Sequence, residues 1–351
     1  MYLVATIGPR SCENKIVDSI IKGGANTIRI NLSHGKYDQI DKVIGYIRRN
    51  YHDVKILMDL QGHKIRVSHK FKKEFFVENN MIVYFCSEDD YEEILECNKE
   101  IKRLVPLNIS SKQFDEVKTS KIFMKDGTMR FNILKKECNI LKTVTKIGGM
   151  IRAEKGCNIP GLSRVGLEIT EKDKKDIQFA LNEKVDILCY SYCSSEEDCK
   201  KFKNQVFSTL RRGDRIPKLF GKIETKEGVK NISQISNSLD GIVIARGDLV
   251  PESDLLVLPV IQDKIVSVMN KENKEVIVAT HVLNSMKRKG NVPHLSELSD
   301  IYNMIRKNVS GFMLTSETTV GDNQFEVVRT LKKAIEYYSR ISNKIKRNKS
   351  S

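Results

Sequence analysis

The chain has 351 residues, 40% hydrophobic and 30% charged, enough for a large buried core plus a smaller unit. No apolar run reaches the ~18 residues of a membrane span, and a strand-like run begins at Tyr2, so neither a membrane partner nor a leader peptide is expected. The net charge of +15 is compatible with three readings: nucleic-acid binding, lysines spread over solvated faces with a basic tail (Lys344, Lys346, Arg347, Lys349), or a field that draws in anionic substrates; no dense basic stripe with aromatics between is present, so nucleic acid is not an expected partner.

Short apolar runs follow one another along the chain: Tyr2–Ile7, Thr27–Asn31, Lys55–Asp59, Asp186–Tyr190, Lys218–Ile223, Gly241–Ala245, Val276–Thr280 and Gly311–Thr315. Amphipathic stretches with apolar residues at three- and four-residue steps lie between and after them, among them Asn14–Lys22, Lys172–Asn182, Glu227–Ser236, Leu256–Asn270 and Phe325–Tyr338. Continuous rather than alternating strands suit a parallel sheet covered on both sides. Eight such units predict a closed (β/α)8 barrel. The third strand and its helix near Thr170 are separated by roughly a hundred residues, too many for a structureless loop. That segment reads as β-rich, with runs at Phe75–Val77, Met81–Cys86, Lys121–Met124, Met129–Leu134, Ile140–Ile147 and Met150–Ala153 and a hairpin signal at Asp126-Gly127. The expected division is a barrel over residues 1–66 and 161–340, an inserted β-rich lid over 67–160 and a basic tail over 341–351. Eight cysteines without paired or metal-type spacing fit a reducing, cytoplasmic setting.

Barrels of this kind gather their chemistry at the carboxyl ends of the strands. Those ends give Arg29, Asn31, Ser33 and His34, then Asp59 to Arg66, Ser191, Lys222 and Glu224, Arg246 to Asp248, Thr280, and Thr315. Glu224 and Asp248 follow adjacent strands and are suited to hold Mg²⁺, although two surface acids on loops would have the same spacing. Lys222 lies two residues from Glu224 and so on the same side of its strand. Its ammonium can neutralise a transferring phosphoryl group, form a structural ion pair with Glu224, or act as a Schiff-base lysine. Arg29 and Arg66 can fork onto phosphate or serve as salt-bridge partners. The turn at Ala245-Arg246-Gly247-Asp248 can face its N–H groups to an anion.

Several motifs resemble those of pyruvate kinases, in family order and over nearly the whole chain. They are Ala5-Thr6-Ile7-Gly8-Pro9, Arg29-Ile30-Asn31-Leu32-Ser33-His34-Gly35, Lys155-Gly156-Cys157-Asn158-Ile159-Pro160-Gly161, Gly221-Lys222-Ile223-Glu224 with Glu227-Gly228, Leu239-Asp240-Gly241-Ile242-Val243-Ile244-Ala245-Arg246-Gly247-Asp248-Leu249, Ala279-Thr280 with Ser285-Met286, and Met313-Leu314-Thr315-Ser316-Glu317-Thr318. The resemblance implies a TIM barrel with an inserted small β-barrel lid, here without the family's C-terminal α/β domain. It implies phosphoryl transfer from phosphoenolpyruvate to ADP, giving pyruvate and ATP, with Mg²⁺ or Mn²⁺ as cofactor.

By the same resemblance, Arg29 binds the substrate phosphate, and Lys222 stabilises the phosphoryl group in flight and the enolate. Glu224 and Asp248 hold the divalent ion, and the N–H groups of Gly247 and Asp248 receive the carboxylate. Thr280 stands near the carbon that is protonated, and Ser191 lies on the substrate side. Arg66, His34, Lys155 and Asn31 face the nucleotide. The positions that bind K⁺ in many relatives are Asn31, Ser33, Asp59 and Leu60. The run Leu60-Gln61-Gly62-His63-Lys64, with Val67 after Arg66, resembles the K⁺-independent branch, in which the Lys64 ammonium supplies the charge K⁺ otherwise brings. A homo-oligomer, or a hetero-oligomer with a paralogue, is expected through barrel surfaces. Departures occur at His63, Val250-Pro251, His281, Pro293-His294-Leu295-Ser296-Glu297 and Ser316. Two alternatives stand beside this reading: a decayed copy acting as a partner subunit, and a metal-dependent aldolase or decarboxylase sharing the enolate chemistry.

Overall fold

The computed structural model describes residues 1–350 other than Pro9, His34, Asp126 and Val165, with side chains described as far as residue 345. The expected roles of His34, Pro9 and Asp126, and the tail side chains Lys346, Arg347 and Lys349, therefore lie outside the described residues.

Eight parallel strands close into one barrel: β1 (Tyr2–Ile7), β2 (Thr27–Asn31), β3 (Lys55–Asp59), β4 (Ile187–Tyr190), β5 (Lys218–Ile223), β6 (Gly241–Ala245), β7 (Glu275–Ala279) and β8 (Gly311–Leu314). They pair in sequence order around the ring, and β8 returns to β1. Compared with the runs read from sequence, β4 starts one residue later, and β7 and β8 end before Thr280 and Thr315. The cause at β7 is local: Thr280 and His281 take left-handed φ angles of 70° and 56°, which no strand accommodates.

Each strand reads as continuously apolar because both faces are covered. Tyr2, Val4, Leu57, Ile187, Cys189, Phe220, Val243, Ile277, Ala279 and Met313 fill the barrel interior. The alternate residues, such as Leu3, Ile28, Ile30, Met58, Leu188, Ile242, Val278 and Phe312, pack outward against the helices. A strict period of two then fixes which later residues face the barrel axis. Thr6 continues the column of Val4, Asp59 that of Leu57, Ser191 that of Cys189, and Lys222 that of Phe220. At the opposite end the barrel is plugged by Tyr2, whose hydroxyl donates to Glu275 Oε1 at 3.0 Å, with Lys218 Nζ 2.7 Å from Glu275 Oε2.

The surrounding helices carry local start signals. Thr170 caps Glu171–Asn182 by accepting the Asp173 N–H, and Ser195 with Asp198 forms a capping box for Glu196–Thr209. The stretch expected as one helix over Glu227–Ser236 is two, Lys226–Lys230 and Ile232–Ser238, broken at Asn231. The last helix runs Gln324–Ser350, through the stretch read as a basic tail, and packs against Asn14–Gly23 and Leu295–Arg306. No helix among the described residues is long and apolar enough to cross a membrane.

Between β3 and the helix at Glu171 the chain builds a six-stranded sheet and a two-stranded ribbon around their own core, which includes Val83, Phe85, Phe114, Ile122, Phe131 and Leu141. Strands Lys121–Met124 and Met129–Glu137 form the expected hairpin. Strands Leu104–Leu107 and Cys157–Asn158, and helices Tyr91–Cys97 and Ser111–Asp115, are additions to the sequence reading. Pro106 hid the first, since proline argues against a central strand. The sheet's two outer strands are Leu104–Leu107 and Cys157–Asn158. Arg66 and Val67 bridge them, Arg66 to Gly156 and Val67 to Leu107, so a two-residue stave closes the small barrel.

Candidate active site

The period-two column delivers a buried charged cluster to the carboxyl end of the large barrel. Arg29 from β2 donates from Nε to Asp59 Oδ2 at 3.0 Å, contacts the same oxygen through Nη2, and donates from Nη1 to Thr6 Oγ1 at 3.1 Å. Asp59 at the end of β3 also accepts from Ser191 Oγ at 3.1 Å. Lys222 Nζ lies 3.3 Å from Asp59 Oδ2 and 3.0 Å from Glu224 Oε1, and donates to Ser191 Oγ at 3.2 Å. Burial works to raise the Asp59 carboxyl, but the charges of Lys222 and Arg29 outweigh it and hold Asp59 below the ordinary range. Burial works to discharge Lys222, yet Asp59 and Glu224 prevail and keep it firmly an ammonium. The two same-side positions of β5, Lys222 and Glu224, thus meet as an ion pair. A Schiff base requires the neutral amine, and this environment opposes it.

Glu224 and Asp248 stand next to this cluster. Glu224 Oε2 accepts the backbone N–H of Tyr192 at 2.7 Å. Asp248 Oδ1 accepts from Tyr192 Oη at 3.1 Å and Asn158 Nδ2 at 3.2 Å, and Lys64 Nζ approaches it to 3.5 Å. Burial lifts the Glu224 carboxyl, Lys222 pulls it back, and Asp248 adds to the rise. Burial acts on Asp248 as well, but Lys64, Lys222 and the Asn158 amide hold it far below the usual carboxylate value. Two acids sharing one site are driven apart in this way. Among the described residues no group of three or more His, Cys, Asp or Glu side chains gathers closely enough to hold a metal. Glu224 and Asp248 offer two carboxylates. That set suits a hard divalent ion that keeps waters and takes further oxygens from a substrate.

Gly247 is the second residue of the helix Arg246–Glu252, in the first turn, where the N–H groups have no intrahelical acceptor. A Cβ at Gly247 would come 3.1 Å from Thr280 Cγ2, so the missing side chain sets how closely Thr280 abuts this turn. Arg246 is structural: its Nε donates to the Thr280 carbonyl at 2.8 Å, and its Nη1 lies 2.5 Å from Asp300 Oδ2.

The residues expected on the nucleotide side are more dispersed. Arg66 is buried and donates from Nη1 to the Glu154 carbonyl at 3.0 Å. Lys155 is turned onto its own segment, with Nζ on the Met150 carbonyl and 3.4 Å from Met129 Sδ. Asn31 Oδ1 accepts the Ser33 N–H at 3.0 Å. The Leu60 side chain is in the core, and its N–H donates to the Cys189 carbonyl at 2.8 Å. Lys64 contacts Asp248, whereas the cations that hold Asp59 are Arg29 and Lys222. Its charge therefore falls beside Asp248 of the carboxylate pair.

Sequence reasoning missed Tyr192, Arg164 and the side chain of Asn158. Strand alternation points Tyr192 away from the mouth, but its φ of 57° breaks the alternation and turns its hydroxyl to Asp248. A tyrosine directly after an inward Ser191 was the only signal available.

The model of the pyruvate kinase barrel domain matches residues 1–328. The pyruvate kinase of Thermotoga maritima is 32% identical over 338 residues, covering 94% of this chain and 69% of that protein. The Clostridium perfringens enzyme is 30% identical over 354 residues, covering 99% of this chain and 70% of the relative. For the Geobacillus stearothermophilus protein the figures are 32% over 339 residues, 94% of this chain and 55% of the relative. With a closed eight-stranded barrel whose carboxyl end presents Arg29, Lys222, Glu224 and Asp248 together, and with this similarity running from end to end, the chain belongs to the pyruvate kinase family of phosphotransferases.

Proposed function

We propose that this chain transfers the phosphoryl group of phosphoenolpyruvate to ADP, giving pyruvate and ATP. The observation that carries this reading is the Lys222 ammonium, set between Asp59 and Glu224 at 3.3 and 3.0 Å in a buried cluster that also contains Arg29. Arg29 binds the substrate phosphate with its guanidinium fork. The N–H groups of Gly247 and Asp248 receive the substrate carboxylate, with Ser191 alongside. The bond between phosphorus and the enol oxygen breaks as a terminal oxygen of ADP bonds to phosphorus, and Lys222 faces the negative charge that spreads over the phosphoryl and enolate oxygens. The enolate then takes a proton on its terminal carbon beside Thr280. Glu224 and Asp248 would hold Mg²⁺ (or Mn²⁺), which supplies further neutralisation of phosphate and enolate oxygens. Arg66, His34, Asn31 and Lys155 serve the nucleotide, Lys155 after turning away from Met150. The chain supplies position and fixed charge rather than covalent chemistry.

K⁺ is not required in this reading. The positions Asn31, Ser33, Asp59 and Leu60 form the former monovalent-ion site, and Lys64 supplies the missing positive charge to the same cavity. The setting is cytoplasmic, without nucleic-acid or membrane partners. Assembly into a homo-oligomer, or a hetero-oligomer with a paralogue, uses barrel surfaces. Leu255, Leu256, Val260, Val292 and Leu295 are 68–86% exposed on and before the helices Leu258–Lys271 and Leu295–Arg306 and would supply an apolar contact.

A coupled assay of the purified chain with phosphoenolpyruvate, ADP and Mg²⁺ tests the reading. Pyruvate should form with wild type, and Lys222→Met should lower kcat by about 10²–10³-fold or more. Absence of pyruvate from folded wild-type protein under these conditions would reject it.

A further inference from the structure

Tyr192 is in contact with both carboxylates of the candidate metal pair. Its N–H donates to Glu224 Oε2 at 2.7 Å and its hydroxyl to Asp248 Oδ1 at 3.1 Å. The residue that spans the two has a left-handed backbone, with φ of 57°, a conformation that bulky side chains rarely adopt. The surrounding contacts hold the ring in that place. The Arg164 guanidinium carbon stands 4.7 Å from the ring centroid, within cation–π range, and both side chains are buried.

Arg164 belongs to the segment that leaves the insert. Its Nε donates to the His63 carbonyl at 3.1 Å, on the segment that enters the insert. Its Nη2 lies 3.7 Å from Glu252 Oε1, beyond hydrogen-bond distance, and neither atom has a hydrogen-bond partner. Glu252 Oε2 accepts the Gly161 N–H at 3.3 Å. Asn158, at the end of the insert's last strand, donates directly to Asp248. The returning segment therefore meets the carboxylate pair twice, once through Asn158 and once through the Tyr192 ring.

We propose that Tyr192 is a positioning residue that sets the geometry of both Glu224 and Asp248, and that Arg164, stacked on its ring, ties that geometry to the segment returning from the insert. This inference rests on the reading that Glu224 and Asp248 hold a divalent ion. Partners that orient a metal's ligands commonly change affinity by about 10–100-fold when removed. Tyr192→Phe removes only the hydroxyl and keeps the ring, its volume and the stack, so it isolates the contact to Asp248.

The test is Mn²⁺ binding to the full chain without substrate, followed by the electron paramagnetic resonance of free Mn²⁺. Tyr192→Phe should raise the Kd about tenfold while the melting temperature stays close to wild type. Arg164→Lys, which keeps the charge near Glu252 and loses the planar face, should raise it about threefold in the wild-type background and by clearly less in a Tyr192→Phe chain, where only the backbone contact to Glu224 is left to disturb; such non-additivity is the mark of one residue acting through another. The chain has no tryptophan, so a tyrosine difference spectrum on adding Mn²⁺ gives an independent reading in unmutated protein. It should be present in wild type and lost in Tyr192→Phe.

An affinity for Tyr192→Phe within twofold of wild type, with Asp248→Asn abolishing binding, would overturn this inference and leave the metal reading intact. Wild-type protein that binds no Mn²⁺ would overturn both. Equal effects of Arg164→Lys in the two backgrounds would remove Arg164 from the linkage.

Discussion

Arg29, Lys64 and Lys222 face Asp59, Glu224 and Asp248 in one small volume, so six formal charges sum to zero before any ligand enters. On the proposed function, a divalent cation and an anionic substrate would arrive as a further compensating set, so that neither charge is taken out of water unpaired. The acid beside this cluster that carries an uncompensated cost is Glu252, whose carboxyl is pushed by burial from 4.5 to about 7 against the opposing pull of Arg164 and the Gly161 N–H. The folded state holds this proton where the unfolded state has released it. The stability contribution is therefore fully present below pH 4.5 and is lost as pH rises through about 7. Glu252→Gln should remove that dependence. Its stability relative to wild type should improve on the order of 3 kcal/mol between pH 5 and pH 8 in urea denaturation. Position at the strand ends made Arg29, Asp59, Ser191, Lys222 and Glu224 legible in the sequence, and two-residue spacing put Lys222 and Glu224 on one side of their strand. Tyr192 and Arg164 were not legible, since one depends on a left-handed φ and the other on where a long excursion of the chain returns.

At the level of elements, the strand ends carry the chemistry and the turns just beyond them set its spacing. Gly62 has φ of 60°, and a Cβ there would stand 2.5 Å from the Ser191 carbonyl oxygen. The N–H groups of Gln61 and Gly62 both donate to Asp173 Oδ1, at 3.1 and 3.2 Å, which pins this turn to the start of helix Glu171–Asn182. Gly62→Ala should cost on the order of 3 kcal/mol in urea denaturation, from a left-handed penalty of about 1–2 kcal/mol and overpacking of about 1–3 kcal/mol. It should also raise KM for phosphoenolpyruvate by displacing Ser191. The eight barrel strands were read to within a residue at each end because burial on both faces leaves unbroken apolar runs. The insert was read less completely, since Cys157–Asn158 is two residues long and Leu104–Leu107 contains a proline, and neither leaves a pattern of period two.

For the whole molecule, two outcomes follow from charge and exposed surface. On the proposal that Lys64 supplies the charge K⁺ otherwise brings, turnover should persist in tetramethylammonium buffer and rise less than about twofold on adding KCl; a rate that vanishes without K⁺ and returns with it would exclude the substitution of Lys64 for the ion. Leu256 and Leu295 are 86% and 80% exposed, and the proposed subunit contact uses such apolar side chains. Leu256→Asp combined with Leu295→Asp should lower the molar mass measured by light scattering while leaving the melting curve of the barrel within a few degrees. An unchanged mass would place the contact elsewhere.

The stave that closes the small barrel also fixes how the insert can swing. Where the chain goes in and comes out, the two passes are laced together: the Val67 N–H donates to the Lys155 carbonyl at 2.9 Å, the Glu154 N–H to the Val67 carbonyl at 2.9 Å, and the Cys157 N–H to the Ile65 carbonyl at 2.8 Å. Two passes tied in this way cannot shift independently. The cap above the mouth should accordingly swing on one paired hinge rather than on two loose tethers.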